Sequence, residues 1–120
     1  MLFHVIDDHV IICEYLCSVF HSLGHHARYF HSSGDYLAYL DNGEYRKPDA
    51  VFTDVNMPVV SGSEVVRRVK AIHPDQKFVI ISGDIFAEGR FSGECLFLNK
   101  PFKPVDVENI IQTLGHRIAA

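Results

Sequence analysis

The sequence predicts a single α/β domain over residues 1–120, a doubly wound, five-stranded parallel sheet with helices on both faces. Three observations carry this expectation. Five short apolar runs recur along the chain, at 3–6, 27–30, 50–53, 78–81 and 95–98. They are near-continuously apolar, as strands covered on both faces are. Between them, most segments repeat apolar residues at helical spacing.

The elements follow in order. Phe3–Ile6 is the first strand and stops at Asp7-Asp8. Residues 10–23 place Ile12, Leu16, Val19, Phe20 and Leu23 on one helical stripe, and Gly24 ends it. Ala27–Phe30 is the second strand. Ser32 or Ser33 caps a helix carrying Tyr36, Leu37 and Leu40, which Asp41-Asn42-Gly43 closes. Ala50–Thr53 is the third strand and ends at Asp54. Ser61-Gly62-Ser63-Glu64 opens a helix that turns Val65, Val66, Val69 and Ile72 inward, and His73-Pro74 stops it. Phe78–Ile81 ends at Ser82, and Cys95–Leu98 ends near Lys100. Pro104 suits a first helical turn. The last helix then carries Val107, Ile110, Ile111, Leu114 and Ile118.

Composition narrows the function classes. Apolar residues make up 48% of the 120 residues, enough for a core of ordinary size. The net charge of −4 argues against direct nucleic-acid binding, which leaves a basic footprint. No apolar run approaches a membrane span, and the N-terminus lacks a signal peptide's basic region. Cys13, Cys17 and Cys95 form no Cys-x-x-Cys pair, so they read as small hydrophobes in a reducing cytoplasm. His21, His25 and His26 lie close in sequence, and surface titration is the better reading than a metal site.

The polar residues at the strand ends carry the chemistry. In open parallel sheets the site lies beyond the carboxyl ends of the strands. Asp7 and Asp8 end the first strand, Asp54 the third and Ser82 the fourth, and Lys100 follows the fifth. Two carboxylates about 4 Å apart repel by roughly 4 kcal/mol at an effective dielectric near 20. Three such groups exceed what one lysine offsets, so a hard divalent ion is expected. Oxygen ligands with room for water favour Mg²⁺ (or Mn²⁺) over zinc or a full calcium cage. A carboxylate beside that ion and an ammonium is also a nucleophile. Asp54 would accept a phosphoryl group whose oxygens meet the ion, Lys100 and the Ser82 hydroxyl.

At this point the chain resembles a response-regulator receiver domain, the phosphoacceptor module of two-component signalling. Asp7-Asp8 match the acidic pair, and Asp54-Val55-Asn56-Met57-Pro58 with Gly62 matches the phosphoacceptor and its trailing motif. Ser82 matches the switch hydroxyl, and Lys100-Pro101-Phe102 the Lys-Pro-Phe signature. The resemblance implies a flavodoxin-like strand order of 2-1-3-4-5 and a cis peptide between Lys100 and Pro101. It implies a metal held by Asp7, Asp8, Asp54 and the Asn56 backbone carbonyl. It assigns switching to Ser82 and Phe97, and tuning of dephosphorylation to Asn56 and Asp84. The implied partners are a histidine kinase or histidine phosphotransfer protein and a downstream protein target. The implied role is a cytoplasmic signalling switch rather than an enzyme.

Two departures from the family pattern stand out. Gly83 replaces the usual alanine after the switch hydroxyl, which loosens the loop. Residues 83–94, with Gly89 and Gly93, leave room for only a shortened fourth helix. That shortening argues mildly for an alternative, a phosphorylation-independent interaction module on the same fold, while the intact set of five polar residues argues against it. A dehalogenase-like phosphatase is disfavoured, because Asn56 stands where such enzymes carry a second aspartate.

Overall fold

Apolar strands and amphipathic helices alternate along the chain in the computed structural model, which describes residues 1–83, 91 and 95–119. The order is β1 (Leu2–Ile6), α1 (Val10–Ser22), β2 (His26–Phe30), α2 (Ser33–Asp41), β3 (Ala50–Asp54), α3 (Gly62–Ile72), β4 (Lys77–Ser82), β5 (Leu96–Asn99) and α4 (Pro104–Ala119). The strands form one sheet in the order β2-β1-β3-β4-β5, and every neighbouring pair is parallel. The expected shortened helix within 83–94, including Asp84, lies outside the described residues.

Strand alternation sorts the side chains into two cores. Phe3 and Val5 of β1 join Phe52, Val79 and Ile81 against α1 and α4, through Leu16, Phe20, Val107 and Leu114. On the opposite face Ile6, Val51 and Ile80 meet Tyr36, Leu37 and Leu40 of α2 and Val65, Val66 and Val69 of α3. Successive strand residues point to opposite faces, so an uninterrupted apolar run fills both cores at once. Cys13 and Cys17 are buried in the first of them, where burial pushes their thiols up to about 12 and about 11.

The helix boundaries have local causes. Ser32 is the residue that caps α2, its side chain accepting the Asp35 N–H at 3.0 Å, and Ser61 caps α3 through the Glu64 N–H at 3.3 Å. Ser33, the other candidate cap, is instead buried and donates its hydroxyl to the Val60 carbonyl. Three positions expected on inward stripes are exposed: Leu23, Ile72 and Ile118, at 40%, 54% and 41%. Leu23 and Ile72 sit at helix ends and Ile118 in the last turn of α4. There the stripe has run past the sheet it covers.

His4 is the odd residue in the core. It points from the middle of β1 toward α2 and is 1% exposed. Its Nδ1 lies 3.0 Å from the Tyr36 hydroxyl, and Tyr36 in turn is 2.6 Å from the Tyr45 hydroxyl. Rings of Phe30, Tyr39 and Tyr45 meet it edge-on. Burial first, then Arg28 and Arg46, lower its pKa from 6.5 to about 4. The unfolded chain therefore binds a proton here that the folded chain refuses. The stabilising contribution is whole above pH 6.5 and is lost progressively as pH falls toward about 4. The loss amounts to about 3 kcal/mol. Urea denaturation across that range should show His4→Phe losing much less stability on acidification than the wild type does.

Candidate functional site

The carboxyl ends of β1, β3 and β5 deliver the charged groups to one place. Each end is fixed by backbone bonds. The Asp7 N–H donates to the Phe30 carbonyl at 3.1 Å, and the Cys13 thiol of α1 reaches the Asp7 carbonyl at 3.3 Å. The Val55 N–H donates to the Ile81 carbonyl at 3.3 Å, and the Lys100 N–H to the Ser82 carbonyl at 2.8 Å. The peptide between Lys100 and Pro101 is cis.

Gly62 explains the spacing that follows Asp54. Its N–H donates to the Val55 carbonyl at 3.0 Å, closing the loop onto the end of β3. A Cβ at this position would collide with the Asp54 carbonyl oxygen and crowd the Val55 backbone. Only glycine lets α3 start this close to the phosphoacceptor candidate. Gly83 is a different case, since the nearest atom to an added Cβ is Lys100 Cβ at 4.0 Å, ordinary contact.

At the centre Lys100 Nζ lies 3.3 Å from Asp7 Oδ2 and 3.6 Å from Asp54 Oδ2. The Asp7 side chain is wholly buried, and that of Asp54 is 7% exposed. Asp7 Oδ2 is buried and accepts no hydrogen bond, and the Lys100 ammonium is its ion-pair partner. Asp54 is held above the usual carboxylate range by burial and by Asp7, and drawn partly back by Lys100 and by the N–H groups of Asn56 and Val55. Such crowding of buried acids is costly unless a cation meets them.

Asp7, Asp8, His9 and Asp54 can each turn one ligand atom into a cluster whose members all lie within 4.8 Å of one another. The site thus brings together Asp7, Asp8, Asp54 and Lys100 as the strand ends implied. Ser82 closes β4 beside them, paired in register with Asn99. Asn56, two residues after Asp54, is exposed between the buried Val55 and Met57. Phe97 lies on β5, partly buried against the core on the α2 and α3 side, with its ring 6.3 Å from that of Phe91. His9 is the residue that sequence reasoning missed. As one of eight histidines it carried no spacing signal beyond its place directly after Asp7-Asp8.

The family model of the response regulator receiver domain matches residues 3–112. The chain belongs to this family. A receiver-domain structure from Methylobacillus flagellatus superposes with a TM-score of 0.78 at 27% identity, covering 95% of this chain and 98% of the other. The chemotaxis response regulator CheY4 of Vibrio cholerae shares the fold at TM-score 0.82 and 22% identity, covering 94% of this chain and 97% of the other. Among curated proteins, a protein-glutamate methylesterase/protein-glutamine glutaminase of Clostridium acetobutylicum is 26% identical over 95% of this chain and 34% of its own length. The transcriptional regulatory protein CreB of Escherichia coli is 29% identical over 68% of this chain and 38% of its own length. The chain spans well under half the length of either curated relative.

The balance of charge in this receiver domain is testable without phosphate. Lys100→Met strands two buried carboxylates and should cost about 3 kcal/mol in metal-free buffer at neutral pH. Asp54→Asn removes one of them and should raise the urea midpoint. In the double variant the lysine substitution should cost clearly less. Equal costs in both backgrounds would mean that Lys100 does not offset Asp54.

Proposed function

We propose that Asp54 accepts a phosphoryl group from a phosphohistidine on a histidine kinase or histidine phosphotransfer protein, with Mg²⁺ or Mn²⁺ bound beside it. The observation that carries this is the Lys100 ammonium set between the buried carboxylates of Asp7 and Asp54. It leaves more negative charge than one lysine offsets, and a buried Asp7 oxygen without a donor. The donor set is oxygen-rich and suits a hard divalent ion. Asp7, Asp8, Asp54 and the Asn56 carbonyl would hold it. When bound, the ion supplies positive charge to the phosphoryl oxygens.

The chain's own residues do the rest. An Asp54 carboxylate oxygen attacks phosphorus in line while the phosphorus–nitrogen bond of the donor breaks. The leaving imidazole nitrogen takes up a proton from solvent, and Asp54 becomes an acyl phosphate. Attack of this kind needs positioning and electrostatics more than covalent help. Lys100 stands where it can neutralise a peripheral oxygen, and the Ser82 hydroxyl is the second candidate contact. The reading extends to the switch, in which Ser82 turns toward the phosphate and Phe97 repacks. Asn56 and Asp84 tune the return by hydrolysis.

The test uses acetyl phosphate and Mg²⁺ with intact-mass detection. Wild type should gain one phosphoryl group and Asp54→Asn none, while Lys100→Ala should slow the gain. A phosphoryl group gained equally by Asp54→Asn, or none gained by wild type, contradicts the proposal. The second result would favour the phosphorylation-independent module.

A further inference from the structure

His9 is the N-cap of α1, but its side chain makes no capping bond to that helix. The ring turns instead into the acidic site. Its Nδ1 lies 3.0 Å from Asp7 Oδ1 and 3.3 Å from Asp8 Oδ1. The His9 backbone N–H also donates to Asp7 Oδ1, at 2.9 Å. The opposite oxygen of the same carboxylate, Asp7 Oδ2, is buried and without a donor, and it faces Lys100. One edge of Asp7 is thus met by His9, and the other faces the Lys100 ammonium.

The separations match those between ligands of one ion. Two donors at right angles around an octahedral ion, each about 2.1 Å from it, sit about 3.0 Å apart. The His9 nitrogen stands at close to this spacing from both the Asp7 and the Asp8 oxygen. The side chain of His9 is 65% exposed, so a small turn of the ring sacrifices no packing. In its Nε2–H tautomer the imidazole presents the Nδ1 lone pair to the ion. Imidazole nitrogen suits first-row transition ions, whereas Mg²⁺ prefers carboxylate, carbonyl and water oxygens.

We propose that His9 is a nitrogen ligand of the divalent ion held by Asp7, Asp8 and Asp54, and that it shifts the site's preference from Mg²⁺ toward transition ions such as Mn²⁺ and Co²⁺. This rests on the reading of the cluster as a divalent-metal site. A histidine that only offset acidic charge would leave the order of metal preference unchanged.

The experiment titrates the full chain with Mg²⁺, Mn²⁺ and Co²⁺ by calorimetry, in wild type and in His9→Ala. Only binding that is lost in Asp7→Asn is counted, which sets aside ions on the His25 and His26 surface. Losing one ligand should weaken Co²⁺ at least about tenfold while Mg²⁺ changes less than about threefold. Pulsed electron paramagnetic resonance of the Mn²⁺-loaded protein should show a nitrogen coupling that His9→Ala removes. An unchanged ratio of Co²⁺ to Mg²⁺ affinity, or no nitrogen coupling, overturns the role of His9 and leaves the oxygen site standing. Failure of every divalent ion to bind the wild type overturns the site itself and this proposal with it.

Discussion

One ammonium group between two buried carboxylates is the constraint around which this domain is arranged. Lys100 Nζ is 3.3 Å from Asp7 and 3.6 Å from Asp54. Each attraction is on the order of 5 kcal/mol gross at an effective dielectric of 20. The repulsion between the acids and the cost of burying them oppose it, and Asp54 consequently holds its proton more tightly than an ordinary aspartate. The three residues come from β1, β3 and β5, so no local segment could create the arrangement. The parallel sheet creates it, because all of its strands end on the same side.

The remaining features serve that edge. Two apolar cores clamp the sheet from both faces and fix the register of the strand ends. Gly62 lets α3 begin against the Asp54 backbone. The Lys100 N–H holds the Ser82 carbonyl, so the end of β5 and the end of β4 cannot drift apart. A site with surplus negative charge calls for a cation, and under the proposed function that cation would also offset the charge a phosphoryl group brings. His9 adds a softer donor to the same cluster, on the exposed side where an ion would enter.

Much of this was legible in the sequence. The five apolar runs placed the strands; the signal is strongest at β1, β3 and β4, which are buried on both faces, and weakest at the edge strand β2, where only Phe30 is buried. Asp7, Asp8, Asp54 and Lys100 were legible as a group because each follows a strand. The inward stripes overreached at Leu23, Ile72 and Ile118, since helical periodicity does not say where the sheet beneath ends. His4 was absorbed into an apolar run, and its burial among tyrosines is a tertiary fact with no local mark. His9 stayed hidden because a single histidine after two acids has no spacing pattern. Its meaning appears only once the ring is seen to turn away from its own helix.

Asp54 and its neighbours are proposed to form one cation-dependent phosphoacceptor site. Backbone NMR of the chain in Mg²⁺, before and after adding beryllofluoride as a phosphoryl mimic, tests it most directly. Saturable shifts are expected at Asp7, Asp8, Asp54, Ser82 and Lys100 that need both Mg²⁺ and the Asp54 carboxylate. Spectra that stay unchanged with Mg²⁺ and beryllofluoride together, or that shift equally in Asp54→Asn, would contradict it.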